Sequence, residues 1–402
     1  MSDALERHAA FVAGVRAAAA PASVGDAVLD AFARVPRHLF LPGVPLDTVY
    51  ADDAVVTHDE GGVPTSSSSQ PSLMARMLEL LAVRPGDRVL EVGAGTGYNA
   101  ALLATLGAAV TTVELQPEVA AAAAEHLGAA GVPVVAADAP GAVRVIAGDG
   151  ADPPDGPYDR VIVTAGCWSL PAPLAAALAE GGVLVAPLRI NGVELCVALH
   201  RDGAGLRADG GLPCGFLPLR VEDARPDRWP LGGGGIASAD ADLGVEGRGA
   251  LDRLLATPAV EVPDPLALRD GEKALDALLW LGLQGDPLIS LMQPRDDGPP
   301  DWRIALDVLP ASLLVLTLEP GTHVVAGAER HGTDGALRAC TAAMAAWRDA
   351  GAPGADRLSL TIEPTADRTA WTLPYPSRDG AATLTRGAHR WTLRYDAARS
   401  AR

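Results

Sequence analysis

Between residues 73 and 201, short apolar runs alternate with segments of helical periodicity. This alternation limits the possible folds more than any other feature of the chain. LMARMLELLAV (73–83) is amphipathic at helical spacing, and DRVLEVGAG (87–95) is a short apolar strand opening into glycines. A helix over 98–107 precedes the β-branched strand AAVTTVEL (108–115), and a second helix covers 117–131. Residues 133–150 contain a strand and end in Gly-Asp-Gly; YDRVIVTAG (158–166) is a further buried strand, followed by a helix over 170–182 with a glycine stop. Apolar strands separated by helices imply βαβ units and a parallel sheet. The last two strands, 183–189 and 194–201, flank Ile190-Asn191-Gly192, and Asn-Gly between apolar strands signals a hairpin. The expected frame is therefore α/β, a mostly parallel sheet finished by an antiparallel hairpin.

The flanking regions read differently. Residues 3–19 form an Ala-rich helix, and Ser23 is placed to cap a second helix carrying Val28, Leu29, Phe32 and Val35 on one face. RVPRHLFLPG (34–43) is a turn-rich connector, and THDEGGVPTSSSS (57–69) a polar loop. Near residue 222 the periodicity stops: 225–244 carries a glycine run and reads as a linker or loop. All four Phe lie at or before Phe216, whereas six of seven Trp (229, 280, 302, 347, 371, 391) lie after 225. The division expected is a helical cap at 1–45, the α/β domain at 46–222, a Gly-rich linker at 223–245 and a smaller α+β domain at 246–402. That last domain would have helices near 247–256, 271–283 and 333–350, and strands near 302–308, 313–318, 357–363 and 390–395. The Trp set would be core or, less commonly, a peptide-binding face.

Composition removes several classes of function. The chain has 402 residues, is 49% hydrophobic and has a mean hydropathy of +0.17, enough apolar material for a sizeable core. Its net charge of −18 and pI near 4.8 disfavour phosphate backbones and anionic lipid, so neither nucleic acid nor a membrane is an expected partner. Cys167, Cys196, Cys214 and Cys340 have no metal-ligand spacing and read as reduced, buried thiols; no metal site is expected. With no signal-like leader and no ~20-residue apolar run, the expectation is a cytoplasmic protein. The eight His are isolated, and the serine run is no G-x-S-x-G elbow, which argues against a hydrolase.

The motif VLEVGAGTGYNAALLA (89–104) carries the chemistry. Gly93, Gly95 and Gly97 sit between a strand and a helix, where glycine lets the backbone approach a ligand and lets the helix N-terminus face it. A dinucleotide fingerprint would be G-x-G-x-x-G, and Tyr98 interrupts that pattern, so a hydride cofactor is disfavoured. Glu114 ends the next strand, where an acid can accept both hydroxyls of a ribose. Asp149, in Gly148-Asp149-Gly150, is placed to accept from an adenine amino group or to form an ordinary Asp-Gly turn.

Glycine loop, strand-end Glu and Asp-Gly in this order resemble the class I S-adenosylmethionine (SAM) methyltransferases. AFARVPRHLFLPG (31–43), YADDAVVT (50–57), SSQPSLMARMLELL (68–81), VELQPE (113–118) and YDRVIVTAG (158–166) narrow the resemblance to the protein-L-isoaspartate O-methyltransferase family, over about residues 23–200. The resemblance implies a Rossmann-like class I sheet and SAM as cofactor, with S-adenosylhomocysteine (SAH) as product. It implies a cofactor set of Glu91, Gly93, Ala94, Gly95, Thr96, Gly97, Tyr98, Glu114, Leu115, Asp149, Gly150 and Thr164. Ser69 would sit at the methyl acceptor as the catalytic residue, beside Ser68 and Gln70; either serine could instead only cap the helix behind Pro71.

Two features depart from the family pattern: the four serines 66–69 and the 180 residues after 222. Both resemble the long actinobacterial members that tailor ribosomal peptides such as graspetides and lanthipeptides. These methylate an Asp side chain that then closes to an aspartimide, and here residues 246–402 would hold an ATP-grasp-modified precursor. Isoaspartyl repair is the alternative within the class; a non-catalytic precursor-binding scaffold is the alternative outside it, and the intact Gly93, Gly95, Gly97, Glu114 and Asp149 argue against that.

Overall fold

The structure is a computed structural model. It describes residues 2–19, 24–60, 63–220, 227–240, 243–284, 287–293, 301–308, 311–319, 325–366, 372, 375–376 and 381–395. The chain divides into two compact units. The first takes Met1–Pro187, Cys196–Leu206 and Cys214–Glu222; the second takes Leu188–Leu195, Arg207–Pro213 and Asp223–Arg402.

The first unit opens with helices α1 (Ser2–Ala18) and α2 (Asp26–Arg34), a 3-10 turn at Arg37–Phe40, and the short helix α3 (Leu46–Val49). Ser23, the expected cap of α2, lies outside the described residues; Gly25 is the cap, and its N–H donates to Glu79 Oε2 at 2.8 Å. Strands β1 (Val55–Glu60) and β2 (Val63–Ser68) follow as an antiparallel pair. Residues 57–69 are thus not the polar loop that composition suggests. The run of Thr, His and Ser lacks apolar alternation, yet pairing satisfies its backbone on both strands.

Next come α4 (Pro71–Leu81), β3 (Arg88–Val92), α5 (Tyr98–Thr105), β4 (Ala109–Glu114), α6 (Pro117–Ala129), β5 (Ala142–Ala147), β6 (Tyr158–Val163), α7 (Ala172–Ala176), β7 (Leu178–Ile190), β8 (Val193–Asp202) and β9 (Gly205–Asp209). The strand order is β9-β8-β7-β6-β3-β4-β5. Strands β7-β6-β3-β4-β5 are parallel, with Val92 opposite both Val113 and Val163. The reversal of order at β3 puts its C-terminal end at the switch point, the place where open α/β sheets bind ligands. β3 and β4 are buried almost throughout, the pattern of strands covered on both faces.

One expected helix is far shorter than its pattern. LPAPLAAALAEGG does not run helical over 170–182: α7 stops at Ala176, and Leu178 already pairs with Tyr158. A five-residue helix with one proline at its cap (Pro171) and another in its first turn (Pro173) has too few bonds to resist the strand that extends the sheet. The turn Asn191-Gly192 has positive φ at both residues (44° and 86°), the conformation an Asn-Gly hairpin needs.

The second unit contains a seven-stranded antiparallel sheet. Its order is Asp227–Pro230, Ile236–Ala239, Leu288–Gln293, Asp301–Val308, Ser312–Leu318, Val325–Gly332 and Val260–Glu261. Helices Gly244–Leu255, Ala274–Gly282 and Gly335–Asp349 accompany it. A second antiparallel set pairs Leu358–Pro364 with His389–Tyr395 and the latter with Ala381–Arg386. The glycine-rich segment read as a linker is in part a hairpin: residues 227–230 pair with 236–239, and Trp229 is buried in the unit's core. Trp347 and Trp391 are also fully buried, which removes these three indoles from any exposed peptide-binding face. The side chains of Trp302 and Trp371 lie outside the described residues. A buried ionic cluster organises this unit. Asp240 accepts from Arg189 Nε at 3.0 Å and from the Gly192 N–H at 2.9 Å, and its backbone carbonyl accepts from Arg386 at 3.2 Å. Cys167, Cys196 and Cys340 are buried; Cys214 is only half-buried.

Candidate active site

The glycine loop forms because β3 must turn sharply into α5. Gly93, Gly95 and Gly97 all have positive φ (97°, 52° and 84°), a region other residues avoid. Gly93 is additionally required by space: a Cβ there would lie 2.6 Å from Thr164 Oγ1. That hydroxyl is anchored at 2.8 Å from the Gly93 carbonyl and 3.0 Å from the Val92 carbonyl, so β6 fixes the floor of the loop. Gly150 is needed for a similar reason, since its Cβ would fall 2.4 Å from Val92 Cγ1.

Glu114, at the end of β4, lies beside this loop. Its Oε2 accepts the Gly95 N–H at 3.1 Å and its Oε1 accepts the Gln116 N–H at 3.2 Å. The carboxylate is held in place while lining the cavity. Asp149 also lines the cavity, and its Oδ1 accepts the Ala151 N–H at 2.8 Å. Asp149 thus closes the turn with one carboxylate oxygen while its side of the turn borders the cavity.

Below the loop lies Glu91, fully buried. Thr112 Oγ1 donates to it at 2.6 Å and Asn99 Nδ2 at 2.8 Å. Burial pushes its carboxyl up to about 7, and the two donors moderate that rise. Glu91 therefore supports the loop from behind and does not line the cavity. Gly97 also sits behind it, at the N-terminus of α5, where a Cβ would meet the Ala123 carbonyl at 3.1 Å. Tyr98 is buried against Phe40 and Phe32, with ring centroids 5.3 and 6.0 Å apart, and burial raises its phenol above the ordinary range.

These elements enclose a cavity of about 110 Å³. Ser68 and Ser69 line it together with Gly93, Ala94, Gly95, Thr96, Tyr98, Glu114, Leu115, Asp149, Gly150 and Thr164. The serine strand and the glycine loop meet directly: a Cβ on Gly95 would lie 3.3 Å from the Ser67 carbonyl. Gln70 is turned to another task. Its amide donates to the Asp52 carbonyl and to Asp52 Oδ2, each at 3.2 Å, and Asp52 Oδ1 accepts the Ser72 N–H at 2.8 Å. Asp52 therefore satisfies the start of α4; no serine side chain caps it.

Sequence reading missed two parts of this site. Residues 216–220 line the cavity, held by backbone bonds between Gly166 and both Leu217 and Leu219. The other is Arg37, buried without exposure, which donates to carbonyls of the 49–53 segment and of Ser68 and Ser69 at the end of the serine strand. Residues 216–220 carry no motif or period; Arg37 lies within the family-like run AFARVPRHLFLPG (31–43), but nothing in that run signals its burial or its carbonyl partners. Among the described residues, no group of three or more His, Cys, Asp or Glu could hold a metal ion, and no helix is long and apolar enough to cross a membrane.

A parallel sheet with a glycine loop, a strand-end acid and an Asp-Gly turn around one cavity has the form of a class I methyltransferase. Residues 15–223 match the family model "Protein-L-isoaspartate(D-aspartate) O-methyltransferase (PCMT)". The chain belongs to this family and is a SAM-dependent methyltransferase. A protein-L-isoaspartate O-methyltransferase of Methanoculleus marisnigri is 44% identical over 200 residues, covering 49% of this chain and 84% of the relative. One from Methanoregula boonei is 41% identical over 194 residues, covering 48% and 83%. A solved structure titled protein-L-isoaspartate O-methyltransferase aligns over 88% of this chain and 96% of its own length, at 21% identity and a TM-score of 0.49.

Proposed function

We propose that this chain methylates the carboxylate of an aspartyl or isoaspartyl residue in a peptide or protein, and that the ester then closes to a succinimide. The observation that carries this reading is the meeting of the serine strand with the glycine loop in one cavity. SAM supplies a methyl group on a cationic sulfonium.

The residues present fit that cofactor. Gly93 and Gly150 line the cavity as bare backbone, packed so closely on Thr164 and Val92 that neither has room for a Cβ, and Glu114 is held at the cavity wall to accept the ribose hydroxyls. Asp149 borders the adenine in this assignment, beside Gly150, and Ala94, Thr96 and Leu115 line the intervening wall. Ser69 donates a hydrogen bond to the acceptor carboxylate, with Ser68 beside it.

The acceptor carboxylate is ionised near pH 7, so no general base is needed. The chain's contribution is to fix one carboxylate oxygen in line with the methyl carbon, a proximity effect worth up to about 7–11 kcal/mol. An enclosed site favours this step, because attacking anion and sulfonium neutralise each other. A new O–CH3 bond forms as the S–CH3 bond breaks. The backbone nitrogen that follows then attacks the ester carbonyl, loses its proton and expels methanol.

Within this reading the favoured acceptor is an aspartyl side chain of a cyclised ribosomal precursor peptide. Two features support it: the run Ser66–Ser69 at the cavity, and the 179 residues that follow the family match, which ends at residue 223. General isoaspartyl repair is the second reading, supported by the relatives' names and by the methyltransferase unit itself. A short isoaspartyl peptide and a cyclised aspartyl precursor, each incubated with SAM and followed by mass spectrometry, separate the two. Methylation of the isoaspartyl peptide alone overturns the tailoring assignment; methylation of the precursor alone overturns repair. Calorimetry with SAH tests the class itself, and a folded chain that produces no heat would return the scaffold reading.

A further inference from the structure

The most unusual group in the first unit is Arg37. Its guanidinium has no exposed surface, and no carboxylate among the described residues forms an ion pair with it. It donates instead to neutral oxygens. Nη1 reaches the carbonyls of Val49 at 2.9 Å and Ala51 at 3.2 Å. Nη2 reaches those of Asp53 at 3.1 Å, Ser69 at 3.0 Å and Ser68 at 3.4 Å, as well as the Ser68 hydroxyl at 3.3 Å. One planar fork therefore gathers the 49–53 segment and the end of the serine strand.

A buried charge without a counter-ion is costly, and natural interiors pair it or discharge it. Burial does lower this guanidinium's affinity for its proton; the charged or titratable groups that act on it are Asp52, Asp53 and the Tyr98 hydroxyl. Asp52 and Asp53 are committed elsewhere. Asp52 accepts from Ser72 N–H and from Gln70, and Asp53 Oδ1 accepts from the Ala54 N–H at 2.7 Å. An arginine remains charged under these conditions. Its positive charge stands directly behind Ser68 and Ser69, the cavity wall assigned to the acceptor.

We infer that Arg37 is a positioning residue for an anionic methyl acceptor. It fixes the Ser68–Ser69 backbone and puts behind it a positive charge that is completed only when the acceptor carboxylate enters the cavity. This rests on the proposed carboxylate acceptor and deepens it: the site selects an ionised carboxylate over an isosteric neutral amide. Because the charge acts through the serine backbone, its loss changes preference for the anion and leaves the cofactor half intact.

The test uses the full chain. An isoaspartyl peptide and its isoasparaginyl counterpart, and the matching aspartyl and asparaginyl pair, are compared in the wild type, Arg37→Met and Arg37→Lys. The acid's KM is set against the amide's inhibition constant, and SAH affinity is measured by calorimetry. Arg37→Met is expected to keep SAH affinity while losing about tenfold to a hundredfold of the acid-over-amide preference. Arg37→Lys is expected to keep that preference and to lower kcat, since it retains the charge and loses the fork. An unchanged preference in Arg37→Met with SAH binding intact overturns the proposal. Should Arg37→Met lose SAH binding through misfolding, Arg37→Lys decides alone: loss of preference with the charge in place overturns it, and retention supports it. A wild-type chain that binds SAH but methylates neither acid overturns the acceptor assignment itself, a result separate from any Arg37 outcome.

Discussion

The two halves of the cavity are built on different principles. The cofactor half is local. Gly93, Gly95 and Tyr98 lie within six residues of one another, with Glu91 and Gly97 behind them; Glu114 ends the next strand of the same sheet, and Asp149 follows the end of the one after by two residues. The half proposed to take the acceptor is assembled from distant segments: the serine strand lines it, and Arg37 ties that strand to residues 49–53 from behind. Local geometry is enforced by forbidden volume and positive φ, so a substitution there acts steeply. Non-local geometry is enforced by hydrogen bonds, each worth about 0.5–1.5 kcal/mol net, so its losses are graded.

The largest effect is expected at the steric floor of the cofactor half. Gly93→Ala puts a Cβ 2.6 Å from Thr164 Oγ1 at a φ of 97°. Strain of about 1–3 kcal/mol plus overpacking predicts a loss of SAH affinity of about a hundredfold or more, measured by calorimetry. An affinity near wild type would show that the loop is not sterically fixed. Glu114→Gln comes next: loss of charge-assisted bonds worth about 1.5–3 kcal/mol should weaken SAM binding roughly tenfold to a hundredfold with the acceptor KM unchanged.

Glu91 gives a pH signature to the same half. Its folded carboxyl titrates at about 7, above the 4.5 of the free group, so the folded chain holds that proton more tightly than the unfolded one. The associated stability is present in full below the unfolded pKa and is lost as pH rises through about 4.5 to 7. Glu91→Gln mimics the protonated acid and should flatten the dependence of Tm on pH between about 5 and 7. It should also stabilise the chain above pH 7, by about 1–3 kcal/mol. Scanning calorimetry across that range checks it, and parallel curves for both chains would refute it.

The acceptor half should respond more gently. Ser69→Ala is expected to lower kcat/KM for the peptide about threefold to tenfold while SAH affinity stays constant. The smallest effect is expected from Gln70→Ala. That side chain is bonded to Asp52 and not to the cavity, so the peptide KM should move less than about threefold, with a modest drop in Tm. A larger change in KM from Gln70→Ala than from Ser69→Ala would reverse this ordering.

The same local/non-local divide explains what the sequence made legible. Strand-glycine-helix punctuation places β3, α5, β4 and α6 within a few residues of their observed limits, since apolar period and glycine position both lie in the local chain. Residues 57–69 read as a loop because these strands are polar, and their partners are backbone groups that leave no side-chain pattern. Arg37 does not stand out within the turn-rich run RVPRHLFLPG, since its burial depends on carbonyls 12 to 32 residues away. In the second unit, Ser312–Leu318 and the helix Gly335–Asp349 were legible from their apolar runs. The pairing of 227–230 with 236–239 was not, because glycines between them mimic a linker.

The central claim is that one cavity holds the cofactor in its local half and the acceptor carboxylate in its assembled half. A crystal structure with SAH and an acceptor peptide bound together tests it most directly. The account predicts the adenosyl group along Gly93–Gly95, Glu114 and Asp149, with a peptide carboxylate within hydrogen-bond reach of Ser69 Oγ and facing the sulfur. A peptide bound with its carboxylate away from Ser68 and Ser69 would contradict the account.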